Sequence, residues 1–531
     1  MTEIEYFKGD ELAASVWRSK YALSSERTPD DMHRRMAKEF TRIEERYYDK
    51  GEQWKDKTHL SDYGSVRAHL QEDDIYNLFK DFKWIVPQGS IMSMLGSDQI
   101  GSLSNCFVIG QPDDSYGGIM QKDEQLVQLM KRRGGVGIDI STLRPSGTEV
   151  TNAAKTSTGA ASFMERFSNS TREVAQGGRR GALMITIDCR HPDVLQFINA
   201  KKDRTKVTGA NISVMLRDDF MEAVKKDEDY TLRFPCDCLP TMDISKLSKS
   251  DSIEEYLSKI PYNELCIAPN GVYYKKVRAK EIYDAIVENA WENAEPGQMF
   301  VDRHHDYSPD SVYAQYRGVT TNPCGEIFMQ PFDSCRLFAL NLYSFVNDPF
   351  TDKASFDYNR LYQIAYEQQR LADDLIDLEL EHISRILAKV HSDDLPEDVK
   401  RVEIDLWEKV FDVAQNGRRT GCGFTGLADA LAALNVKYDE GHDVIDKMMY
   451  HKMEGELDCT IDLAVLRGTF SGWSKESEYK GENHQAQNDY YQHLIDNFPD
   501  QFDRMIAHGR RNISFSTCAP TGSVNACGIL Q

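Results

Sequence analysis

From Trp84 onward the chain alternates short apolar, β-branched runs with amphipathic stretches, and no other feature limits its possible folds as much. The apolar runs fall at residues 105–109, 136–140, 182–188, 210–216, 299–301 and 337–342, with helix-like stretches at 119–133 and 159–174 between them. Strands alternating with helices predict an α/β domain whose sheet is largely parallel. Residues 364–414 read as a long helical region rich in Leu and Glu. Residues 1–85 have another texture. They are charged, with Leu12, Val16, Tyr21 and Leu23, then Met32, Met36, Phe40 and Ile43, at helical spacing. That spacing predicts a small N-terminal helical domain ahead of an α/β domain over 86–531.

Charge and cysteine usage narrow the function. The 531 residues carry 63 basic and 85 acidic side chains, so 63 − 85 gives a net charge of −22. Such a surface has no diffuse basic field for a nucleic-acid polymer. No apolar run reaches the roughly 18–20 residues of a membrane span, so no membrane partner is expected. The opening Met1-Thr2-Glu3-Ile4-Glu5-Tyr6 has no signal-peptide core. Eleven irregularly spaced cysteines then predict reduced thiols and a cytoplasmic location. No CxxC pair occurs, and Cys236-Asp237-Cys238 lacks a second ligand pair, so no metal site is expected.

Three glycine-rich segments stand out: Arg132-Arg133-Gly134-Gly135-Val136-Gly137, Gln176-Gly177-Gly178-Arg179-Arg180-Gly181 and Gly421-Cys422-Gly423-Phe424-Thr425-Gly426. The first two read either as phosphate-binding loops, with close backbone approach and Arg forks, or as flexible turns. The third fits GxGxxG but follows a charged helical stretch and has no suitable acidic residue after it. Helix packing is therefore expected there, not a dinucleotide site.

The densest chemistry lies in Asn322-Pro323-Cys324-Gly325-Glu326, followed by Asp333-Ser334-Cys335-Arg336-Leu337. A thiol two residues from a carboxylate and two from a carboxamide is either a reactive loop or a tight turn with a buried cysteine. Ser104-Asn105-Cys106-Phe107-Val108 opens an apparent strand, and Ala519-Pro520-Thr521-Gly522-Ser523 is a small-residue loop whose N–H groups suit a phosphate.

Together these segments resemble the large, catalytic subunit of ribonucleotide reductases, and Asn322 to Glu326 resembles the adenosylcobalamin-dependent (class II) branch in particular. Trp17-Arg18-Ser19-Lys20-Tyr21, the stretch 135–144 and His191-Pro192-Asp193 belong to the same pattern, which runs in order from Trp17 to Gln531. The resemblance implies a ten-stranded α/β barrel and reduction of ribonucleotides to 2′-deoxyribonucleotides for DNA precursor synthesis. Cys324 would carry a thiyl radical that abstracts the ribose 3′-hydrogen. Glu326 would accept the 3′-hydroxyl proton, and Asn322 would orient the ribose hydroxyls. Cys106 and Cys335 would be the reducing dithiol, re-reduced by exchange with a thioredoxin-like protein. Ser104, Asn105, Pro520, Thr521, Gly522 and Ser523 would bind substrate. Asp114, Arg144, Gln176 and Arg180 would bind a dNTP effector that sets substrate specificity, at the interface of a homodimer.

The resemblance also carries departures. The chain stops at Gly528-Ile529-Leu530-Gln531, where the family continues, so part of the barrel and a cysteine-bearing tail are expected from elsewhere, for example from a second chain. A catalytic subunit served by a separate metal-containing radical-generating subunit is the first alternative. A non-catalytic fragment of a split reductase is the second.

Overall fold

The computed structural model describes residues 1–67, 69–174, 181–237, 253–268, 271–481 and 483–522. The chain divides into two compact units. One comprises residues 1–106, 308–317 and 333–531, and the other residues 107–307 and 318–332. The division expected at residue 85 and this division by packing cut the chain at different places.

In the first unit, the N-terminal helices do not have a core of their own. Pro29–Asp49 begins with Pro29 at its first position and a reciprocal capping box between Thr28 and Asp31, which satisfies N–H groups that a helix start leaves orphaned. It buries Met32, Met36, Phe40 and Ile43, as their spacing predicts. In Glu11–Lys20, by contrast, Ala13, Ala14 and Trp17 point inward while Leu12 is exposed. These side chains join Phe79, Phe338, Leu371 and Leu375 in one cluster. The helical region of 364–414 is in fact two helices, Tyr358–Ser392 and Glu397–Gly417, interrupted before Pro396, whose ring disfavours helical backbone in the residue preceding it.

A three-stranded sheet lies in the same unit. Leu337–Asn341 pairs antiparallel with Ile85–Pro87 and parallel with Gly421–Thr425. This corrects the expectation of helix packing at residues 421–426, because Gly421–Thr425 is a strand. A Cβ added at Gly421 would sit 2.5 Å from the Leu337 side chain. Glycine is there so that two strands can pack closely, not to cradle a dinucleotide.

The second unit holds the parallel sheet. Gly135–Asp139, Leu183–Asp188, Asn211–Leu216 and Gly297–Phe300 run side by side and parallel. The first two are buried along their whole length, as expected of parallel strands covered on both faces. Helices Tyr116–Met130, Met164–Glu173, Asp218–Lys226 and Ala279–Asn293 connect and cover them. Asp229–Phe234, Tyr273–Arg278 and Leu265–Ile267 make a separate antiparallel sheet. Among the described residues no single sheet joins ten strands. Apolar runs marked where strands form, but strand pairing depends on partners remote in the chain. No described helix is long and apolar enough to cross a membrane.

Candidate active site

The loop carrying Cys324 is the turn of a small hairpin in the second unit. Thr320–Thr321 pairs antiparallel with Phe328–Met329. Between them the Asn322 N–H donates to the Ile327 carbonyl at 3.2 Å, and the Ile327 N–H donates to Asn322 Oδ1 at 3.2 Å. The Gly325 N–H closes the turn on the Asn322 carbonyl at 3.1 Å. Gly325 has φ +82°, in the left-handed region that glycine enters without strain. The side chains are graded by depth: Asn322 is buried, Glu326 half-buried and Cys324 exposed. The alternative of a turn with a buried cysteine is therefore corrected, since the thiol stands at the accessible tip. Burial raises the Glu326 carboxyl above its usual range, and a hydrogen bond from Asn322 opposes that shift. A carboxylate held this way is a better proton acceptor than an exposed one.

Glycines under the hairpin explain how it fits against the sheet. A Cβ at Gly137 would lie 1.8 Å from the Thr321 carbonyl oxygen, and one at Gly135 would lie 2.9 Å from Pro323 Cγ. Thr320 and Thr186 hydroxyls meet at 2.7 Å across the same contact. Gly135 and Gly137 thus make room for the hairpin, a job distinct from the phosphate or flexible-turn readings of that segment.

Cys106 and Cys335 come together in the first unit. Cys106 begins the strand Cys106–Val108, next to the strand Ser334–Cys335. Both thiols are buried, with sulfur atoms within 4.8 Å of one another, a separation that modest side-chain rotation can close to a disulfide. The neighbouring polar side chains face inward. Ser104 is fully buried, its hydroxyl donating to Glu379 Oε1 at 3.2 Å and contacting Ser334 Oγ at 3.3 Å. Asn105 Oδ1 accepts from the Ser90 N–H at 3.1 Å and hydroxyl at 2.8 Å. The side chains of both residues expected to touch substrate thus have partners within the protein.

In the C-terminal loop, the Thr517 N–H donates to the Cys422 carbonyl at 3.1 Å, and the Thr521 and Thr425 hydroxyls lie 3.1 Å apart. Pro520 and Gly522 are exposed. Ser523 lies outside the described residues, as do Gln176 and Arg180.

Asp114 and Arg144, the remaining expected effector contacts, line one cavity of about 260 Å³ in the second unit with Tyr116, Thr158 and Phe163. Arg144 donates to Asp114 from its backbone N–H at 3.0 Å and from Nε at 2.8 Å. The rings of Tyr116 and Phe163 stand edge to face at 6.1 Å. Ser115 caps the helix Tyr116–Met130, accepting from the Gly118 N–H at 3.0 Å. The two aromatic walls were not singled out in the sequence. Only the Asp-Ser-Tyr turn before a helix start gives a local hint of them.

The second unit thus presents an accessible thiol two residues from a carboxyl of raised basicity, and the first unit a buried pair of cysteines within reach of each other, on an α/β scaffold. Comparison with known proteins makes this specific. Residues 104–527 match the family described as "Ribonucleotide reductase, barrel domain", and the chain belongs to that family. It is 29% identical over 392 residues to a vitamin B12-dependent ribonucleoside-diphosphate reductase from Thermoplasma acidophilum, covering 73% of this chain and 43% of that protein. A protein of the same name from Mycobacterium tuberculosis is 28% identical over 393 residues, covering 73% of this chain and 47% of its own length. The ribonucleoside-diphosphate reductase large subunit of Variola virus is 24% identical over 405 residues, covering 75% and 47%. The chain spans about half the length of the curated relatives it matches.

Proposed function

We propose that this chain reduces ribonucleotides to 2′-deoxyribonucleotides, with Cys324 as the radical-bearing thiol. The observation that carries this reading is the Asn322–Glu326 turn, which presents an exposed thiol two residues from a carboxyl whose proton affinity burial has raised. The Cys324 thiyl removes the ribose 3′-hydrogen, and the Glu326 carboxylate takes the 3′-hydroxyl proton. Asn322 holds Glu326 and the turn. The 2′-hydroxyl then leaves as water, and Cys106 and Cys335 supply two electrons and two protons, ending as a disulfide. Hydrogen returned from Cys324 to C3′ restores the radical to the thiol. Turnover requires a thioredoxin-like reductant to exchange with the disulfide.

The names of the relatives point to adenosylcobalamin. The exposure of Cys324 fits a radical source that approaches from outside the turn. When bound, the cofactor supplies the one-electron oxidant for the Cys324 thiol. The large-subunit relative favours a second reading, in which a separate subunit fills that role. In either case we assign the Asp114–Arg144 cavity to a deoxynucleotide effector. Tyr116 and Phe163 offer apolar faces to the base, and Arg144 exchanges part of its Asp114 contact for phosphate. We place a second copy of the chain against the helix Tyr116–Met130, where Tyr116 and Met120 are exposed.

The test is anaerobic incubation with ribonucleotide, dithiothreitol and either adenosylcobalamin or a radical-generating subunit. It is run with the chain alone and with a polypeptide covering the remaining length of its relatives. Deoxyribonucleotide in either arm, abolished by Cys324→Ala, is expected. Product in the Cys324→Ala protein, or none in any arm with cobalamin or a radical-generating subunit, contradicts the reading.

A further inference from the structure

The two segments that carry Cys106 and Cys335 are tied together by a buried polar chain. Glu379, on the long helix Tyr358–Ser392, is fully buried. Its carboxylate accepts from the Ser102 hydroxyl, from the Leu103 N–H at 2.6 Å and from the Ser104 hydroxyl at 3.2 Å. Ser104 Oγ lies 3.3 Å from Ser334 Oγ, which also accepts from Arg336 Nη2 at 3.0 Å. Arg336 Nη1 donates to the Arg419 carbonyl at 3.0 Å and to the Ser334 carbonyl at 3.3 Å. Every member of the chain is within four residues of Cys106 or Cys335, apart from Glu379 and Arg419.

Arg336 is the unusual member. It is fully buried, no carboxylate stands at ion-pair distance among the described residues, and its Nε has no hydrogen-bond partner there. Burial pulls its guanidinium below its usual pKa, while Glu379, Asp333 and Cys335 act in the opposite direction. A buried cation without a direct anionic partner is expensive, and a protein that keeps one obtains positional definition more readily than stability. Here the definition falls on the two strands whose sulfur atoms must meet.

We propose that Glu379 and Arg336, linked through Ser104 and Ser334, are positioning residues that hold Cys106 and Cys335 at bonding reach and so set the reduction potential of that pair. This rests on the reading of the two cysteines as the reducing dithiol. Oxidation removes two electrons and two protons and forms one S–S bond; reduction by dithiothreitol reverses it, leaving oxidised dithiothreitol. Loosening either strand lowers the effective concentration of one thiol at the other, which makes the disulfide easier to reduce.

The experiment equilibrates the 531-residue chain with dithiothreitol redox buffers and quantifies the Cys106–Cys335 disulfide by peptide mapping. Ser334→Ala is expected to weaken the disulfide at least tenfold, about 30 mV less negative for a two-electron couple. Ser334→Thr, which keeps the hydroxyl, is expected to recover to within about threefold. Glu379→Gln keeps the shape, removes the charge and should move the potential in the same direction as Ser334→Ala. It also serves if Ser334→Ala does not fold. A parent protein that forms the disulfide, with Ser334→Ala and Glu379→Gln both within twofold of it, overturns the positioning role and leaves the dithiol reading standing. A parent that never forms the disulfide overturns the dithiol reading and this inference with it. A lowered melting temperature with an unmoved potential assigns the chain of contacts to stability alone, and likewise contradicts the proposal.

Discussion

At the residue scale the account turns on how burial grades the side chains of one short turn. Cys324 must be reachable and Glu326 must be basic, and the turn satisfies both within three residues. Because the Glu326 pKa is raised, the acid limb of the activity profile should lie above the ordinary carboxylate range. Glu326→Gln should lower kcat by at least about 100-fold, the usual contribution of a positioned acid or base, and abolish that limb. A pH–rate profile of both proteins checks this. Asp139 gives a separate signature. Full burial, opposed by hydrogen bonds from Ser141 and Gln111, raises its pKa from 3.8 to about 6. The native state therefore holds this proton more tightly than the unfolded chain does. Stability should fall as pH rises between those values, by on the order of 3 kcal/mol. Asp139→Asn should flatten that stretch of the stability–pH curve measured by denaturant unfolding. The segments proposed to carry the chemistry stood out in the sequence because motifs are local. Ser334 and Glu379 were not assigned roles, because partners that define them lie 230 to 277 residues away, and Arg336 was not, because its Arg419 contact lies 83 residues away.

At the scale of elements, the strands of the parallel sheet were readable and their company was not. Gly135–Asp139, Leu183–Asp188 and Asn211–Leu216 coincide with apolar runs, since strands buried on both faces are apolar throughout. Gly421–Thr425 escaped, because two glycines in five residues depress every strand signal. Ile85–Pro87 was too short to register. The glycines beneath the Cys324 hairpin had only compositional meaning in the sequence. In the structure Gly137 has a steric one, and Gly137→Ala should push the Thr320–Thr321 strand away from the sheet. A loss of about 3 kcal/mol is expected, together with loss of turnover, measured by denaturant unfolding and by the reductase assay.

At the scale of the whole molecule, the partition into units depends on contacts between remote stretches, which periodicity does not report. The N-terminal helices are charged enough to read as a separate domain, yet their apolar faces close a core with residues beyond 338. Charge adds to this tie. Glu44, from the N-terminal helix, accepts from Arg370 at 2.7 Å and from Arg467 at 2.9 Å, all fully or almost fully buried. Glu44→Ala leaves two buried guanidinium groups short of an anion and should destabilise the first unit by about 3–5 kcal/mol, read from its thermal or denaturant unfolding transition. Removing residues 1–82 should leave that unit unable to fold.

The central claim is that one thiol starts the chemistry and two others complete it. The most direct test is a single turnover without external reductant, in the assembly that supports activity, with deoxyribonucleotide and the Cys106–Cys335 disulfide quantified from the same samples. The account predicts that the two accumulate in equal amounts and that neither forms in Cys324→Ala. Deoxyribonucleotide appearing while Cys106 and Cys335 remain reduced would contradict it.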